Sequence, residues 1–108
     1  MTINENTGRV ISLEEAMSYT ATFQKNNPDS IKAFFIGSEK VNMILQQENC
    51  IGIRVYNGYN ETLDKNNLVL VGVDKKGEDI SEGIILEDLF PCPPHCSKLS
   101  PLIDPDFV

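Results

Sequence analysis

The chain has 108 residues, one histidine, three cysteines, no tryptophan and a net charge of −7. Its length is that of one domain, and 41% hydrophobic with 23% charged residues is the make-up of an ordinary globular protein. Nine basic residues against sixteen acidic ones exclude nucleic acid and anionic membrane surfaces as partners, since clustered Lys and Arg hold both.

Residues 1–10 are polar and lack the basic start and apolar run of a signal peptide, so they read as a flexible leader. Nothing in the chain is apolar for long enough to make a membrane helix. The expected location is the cytoplasm, where cysteines stay mostly reduced. An odd cysteine count also fits poorly with a secreted disulfide framework.

Ser12 with Glu15 three residues on is a capping box, which predicts a helix from Leu13. Leu13, Ala16, Met17, Thr20 and Phe23 recur at helical spacing as its apolar face, and Asn26-Asn27-Pro28-Asp29 ends it. Ile31–Ile36 is short, apolar and bounded by turn residues, as a short strand is. A second helix is expected with Ser38 as its cap and Val41, Ile44 and Leu45 inward, running to about Glu48 and stopping at Asn49.

From Cys50 the apolar period becomes two. Ile51, Ile53 and Val55 share one strand face, with Gly52, Arg54 and Tyr56 on the other. Leu68–Val73 is apolar on both faces and reads as a central strand. Between the two runs Asn57-Gly58 and Asp64–Asn67 are turn residues, so an antiparallel hairpin is expected. Asp74–Asp79 makes the next turn and Gly83–Leu86 a third strand, continuing a meander. From Pro91 onward five of the six prolines predict coil, because proline cannot donate to a ladder. The expected whole is an α+β domain over residues 11–96, with two helices on one face of a small, mostly antiparallel sheet of three or four strands. Residues 97–108 are expected as an irregular C-terminal tail.

Chemistry concentrates in Pro91-Cys92-Pro93-Pro94-His95-Cys96, which holds two cysteines and the only histidine. Cys92, His95 and Cys96 supply three ligands toward a zinc tetrahedron, and Cys50 or an acidic residue would have to close it. A polyproline helix through Pro93-Pro94 would rise about 3.1 Å per residue and hold the two thiols roughly 12 Å apart. A disulfide needs Cα atoms about 4.4–6.8 Å apart, so both the metal and the disulfide readings require a turn around Pro94-His95. The plain reading is that the thiols pack and His95 faces water. Cys50, at the start of a buried strand, reads as a core thiol.

Glu78, Asp79, Glu82, Glu87 and Asp88 lack the ligand pattern of a calcium loop and read as solvated turn acids. Nucleophile elbows, phosphate-cradling glycine loops and dinucleotide fingerprints do not occur. No catalytic residue is therefore assigned. Tyr56-Asn57-Gly58-Tyr59 reads as an aromatic turn, and Arg54, Tyr56 and Tyr59 are the candidate partner or ligand surface.

Ser12–Ala16, Ile53–Gly58, Leu70–Asp74 and Cys92–Cys96 together resemble a group of small, uncharacterised bacterial proteins typical of the Bacteroidetes, with a CPPxC segment near the C-terminus. The resemblance implies a bacterial source and brings no activity or site residues with it. The reading that follows is a non-enzymatic interaction module contacting a protein partner or a second copy of itself. The alternative is a zinc-binding or thiol-dependent protein using Cys92, His95 and Cys96.

Overall fold

The structure, a computed structural model, describes residues 2–103. Its elements are α1 (Leu13–Asn26), β1 (Ala33–Phe35), α2 (Ser38–Leu45), β2 (Cys50–Asn60), β3 (Lys65–Asp74), β4 (Ile85–Leu86) and β5 (Phe90–Cys92). The fold is α+β, with every strand pairing antiparallel. The strands are divided between two sheets, β2-β3-β4 and β1-β5, where the sequence suggested one. Two compact units result. One joins the segment ending at Gly8 to Ile36–Leu89, and the other joins Arg9–Phe35 to the segment that starts at Phe90.

In the first unit β2 and β3 form a long hairpin whose register runs from Ile53 opposite Gly72 to Asn60 opposite Lys65, with a bulge between Cys50 and Gly52. The turn lies beyond Asn60 and not at Asn57-Gly58. There the Asn60 side chain accepts from the Leu63 N–H (3.1 Å), and Asp64 takes the left-handed conformation at φ 52°. Gly58 serves a different purpose: a Cβ on it would stand 3.3 Å from the Asn67 carbonyl, so glycine permits the two strands' close approach.

The helix α2 lies on one face of this hairpin. Its N-cap is Gly37, which makes no side-chain cap bond, and Ser38 is the first helical residue, one position inside the expected cap. Ile44 is fully buried, while Leu45, expected inward, is exposed. The helix ends at Leu45, and Asn49 reverses the chain at φ 63°. Among the described residues the buried apolar set of this unit is Ile44, Leu70, Val71, Val73 and Leu89.

In the second unit α1 starts where Ser12 predicts, with its hydroxyl accepting from the Glu15 N–H at 3.1 Å. Glu15 does not complete the box, and its carboxylate lies 3.5 Å from Arg9 instead. The expected apolar stripe is only half covered, since Leu13, Met17 and Phe23 are all exposed. Gln24, four residues after Thr20 and so on the same side of the helix, is the buried residue, and it donates to the Leu102 carbonyl at 3.0 Å. Residues 97–103 of the expected tail thus include a partner of α1, and residues 104–108 lie outside the described residues.

Phe90–Cys92, read as coil, is a strand opposite β1, with Pro91 facing Phe34. A two-stranded sheet has only edges, where a residue without an N–H is tolerated. The Cys92–Pro93 and Pro93–Pro94 peptide bonds are both cis.

Candidate functional site

Three features carry chemistry: a polar cluster on the hairpin, the outer edge of β2, and the Cys92–Cys96 segment. The cluster begins with the turn after β3. Asp74 Oδ1 accepts from the Lys76 and Glu78 N–H groups (2.9 and 3.1 Å), Gly77 sits at φ 83°, and Asp79 returns as a bridge partner of Val73. A residue opposite Val73 shares its face of the sheet, and so do Arg54 and Tyr56, which pair with Val71 and Val69.

Asp79 therefore meets both side chains. Its Oδ1 takes a hydrogen bond from Arg54 at 2.5 Å, and its Oδ2 takes one from the Tyr56 hydroxyl. Arg54 also donates to the Gly77 carbonyl at 3.3 Å. The bond from Tyr56 is the largest influence holding the Asp79 carboxyl below the usual carboxylate range; desolvation opposes it, and Arg54 adds to the lowering. The same bond raises the Tyr56 phenol, and Asp79 raises the Arg54 guanidinium.

A lowered carboxyl stabilises the folded state at pH values above the ordinary carboxylate pKa, and that contribution is lost as pH falls through the folded value. Asp79→Asn is accordingly expected to be less stable than the parent near pH 7. The gap should close as pH drops below about 4. Urea unfolding midpoints for both proteins, measured from neutral to acid pH, check this. A gap that persists at low pH would contradict the assignment.

The edge of β2 is defined by the ladder. The Gly72 carbonyl accepts from the Ile80 N–H (2.8 Å), on the side of β3 away from β2. In an antiparallel ladder a residue's N–H and C=O point to the same side, alternating along the strand. Ile53 opposite Gly72, and then Val55 and Asn57, thus aim their main-chain groups away from β3, and Tyr59 follows two residues on. Among the described residues, sheet order β2-β3-β4 places no strand there. Residues Ile3–Thr7 flank the Ile51–Val55 half across a groove of about 360 Å³. Among the described residues no backbone hydrogen bond joins that leader segment to β2. Val55, Tyr56 and Tyr59 are all exposed.

Of the surface expected from the sequence, Arg54 and Tyr56 come together on Asp79, and Tyr59 lies on the opposite strand face. Sequence reasoning set Asp79 aside as a solvated acid. Its one available signal was position, because a tight turn closing at Gly77 folds residue 79 back beside Val73.

Cys92 and Cys96 are joined as a disulfide with Cα atoms 4.7 Å apart. The His95 N–H donates to the Pro91 carbonyl (2.8 Å), so the chain turns at Pro93-Pro94 and is not a polyproline helix. With the bond formed neither sulfur is a thiolate, and the zinc reading would apply only to the reduced chain. The exposed His95 ring stacks on Phe90 with centroids 4.6 Å apart. Among the described residues no three His, Cys, Asp or Glu side chains gather in a metal-binding group. Cys50 is a half-buried free thiol that donates to the Gly52 carbonyl. No helix among the described residues is long and apolar enough to cross a membrane. Compared with known protein families, curated proteins and solved structures, the chain matches none.

Proposed function

We propose that this chain is a non-enzymatic cytoplasmic interaction module whose working surface is the free edge of β2, and that the strand it pairs with is β2 of a second copy. The observation that carries the reading is an eleven-residue strand that, among the described residues, pairs with a strand on one side only and bears exposed Val55, Tyr56 and Tyr59. Such an edge is a template for strand addition, where main-chain bonds supply affinity and side chains supply register.

Charge along the strand does not oppose a second copy, although each chain carries −7. The strand's single charge, on Arg54, is neutralised within its own chain by Asp79. Antiparallel pairing about a two-fold axis near Val55 or Tyr56 sets Arg54 against the partner's Tyr56 or the partner's Gly58, never against the partner's Arg54. The tyrosines add contact area at small entropic cost.

Val55→Pro removes an N–H that points away from β3, so the hairpin keeps its ladder while the edge loses a donor. Sedimentation velocity is expected to show a concentration-dependent dimer for the parent and a folded monomer for Val55→Pro. A parent that stays monomeric up to about 1 mM would overturn self-pairing, as weaker association has no specific strand-pairing content.

A further inference from the structure

We propose that the Cys92–Cys96 disulfide is a thiol-exchange site that oxidises a dithiol presented in the cleft beside Cys96, an activity independent of the β2 edge. The two sulfurs stand in unlike surroundings. Cys92 is 3% exposed, whereas Cys96 is half-buried and lines an open cleft of about 800 Å³ with Met17, Pro94, Leu99, Pro101 and Ile103. Of the two cysteines only Cys96 lines this cleft.

Two further features suit exchange over simple stapling. No Asp or Glu occurs between Leu89 and Ile103, in a chain of net charge −7, and Lys98 lines the same cleft. An approaching thiolate meets the Lys98 side chain there and no carboxylate from residues 89–103, and a neighbouring cation stabilises a thiolate. The bond also closes a loop of only three intervening residues. Short loops restrict the unfolded chain least, so conformational stability is a poor reason for this cross-link. In the cytoplasm, where the proposed function places the chain, such bonds are formed and broken in exchange and are seldom permanent.

The step balances. A thiolate of the dithiol attacks Cys96 Sγ, the Cys92–Cys96 bond breaks, and Cys92 leaves as a thiolate that takes up a proton. The dithiol's second thiol then loses its proton and attacks its own partner sulfur in the mixed disulfide, releasing Cys96 as a thiolate. The dithiol ends as a disulfide, and the chain carries two thiols in place of its bond.

Two measurements with the full chain test this. Dithiothreitol should reduce the native disulfide at a rate unchanged by sub-denaturing urea, followed by thiol counting in a mass spectrometer. A rate that climbs with urea in step with unfolding would mean that the bond opens only when the protein does, and would overturn the proposal. Cys92→Ser should take up one glutathione from glutathione disulfide at Cys96, located by peptide mapping, about tenfold faster than Cys96→Ser takes one up at Cys92. Equal rates would also overturn it. The urea test uses the parent protein and decides the matter even where a serine variant fails to fold.

Discussion

Ile44→Ala is expected to cost about 2–5 kcal/mol of unfolding free energy, the range for deleting a buried Ile or Leu side chain to its Cβ. The upper half of that range applies here. Ile44 is 0% exposed and sits against β3 at Gly72, where its Cγ2 is 3.2 Å from the place a Cβ would occupy. A glycine has no side chain to swing into the vacated space, so the cavity stays open and its surface cost stays with it. Only Leu70, Val71, Val73 and Leu89 share the unit's buried apolar set among the described residues. A small domain's whole stability is about 5–15 kcal/mol, so this one change removes a large part of it. Ile44→Val, which keeps the branch, should cost only about 0.5–1.5 kcal/mol. Urea denaturation of the three proteins gives both numbers. A loss under about 1 kcal/mol for Ile44→Ala would show that α2 is not anchored on the hairpin by this side chain.

Gly72→Ala is the second large effect, and it works by crowding. The added methyl would stand 2.9 Å from Gln47 Nε2 and 3.1 Å from Cys50 Sγ. The Gln47 amide would have to move, yet it bridges two main-chain groups. Its Nε2 donates to the Ile44 carbonyl at 3.0 Å, and its Oε1 accepts from the Ile84 N–H at 2.8 Å. Displacing it strands a part-buried N–H, which costs about 1–3 kcal/mol on its own. The expected loss for Gly72→Ala is therefore about 1–3 kcal/mol. Because the cost is routed through one amide, Gly72→Ala and Gln47→Ala should be strongly non-additive. In the Gln47→Ala background, adding the Gly72 methyl should cost much less than it does in the parent. Simple additivity in that double-mutant cycle would place the clash elsewhere.

Much of the fold was legible because its signals are local. Ser12 caps α1 within three residues, the alternation from Ile51 marks β2, and the apolar run Leu68–Val73 marks a central strand. What the sequence concealed depends on partners far along the chain. β1 pairs with Phe90–Cys92, so a proline-bearing segment that looks like coil becomes half of a second sheet. The same long-range closure, and not any feature of α1 itself, makes Gln24 the buried residue of that helix through Leu102. Gly58 shows the limit of reading turn residues singly, since Asn57-Gly58 has turn composition but lies in mid-strand at a close approach to Asn67.

The candidate site divides in the same way. Arg54 and Tyr56 were legible as one strand face, because alternation alone puts residues two apart on the same side. Asp79, 25 residues beyond Arg54 and 23 beyond Tyr56, required the register of β3 and the geometry of the Gly77 turn. That β2 lies at an edge was implied by reading Leu68–Val73 as the central strand of a meander, but which β2 amides face outward is set by the register with β3, which composition does not give.

Amide hydrogen exchange along β2, followed by NMR from dilute to concentrated protein, is the measurement to make first. The Arg54 and Tyr56 amides point to β3 and should be protected at every concentration. The Val55, Asn57 and Tyr59 amides point outward, so they should exchange quickly in dilute protein and become protected as concentration rises, in step with dimer formation. Fast exchange at those three positions at all concentrations would contradict pairing through this edge, whatever the oligomeric state.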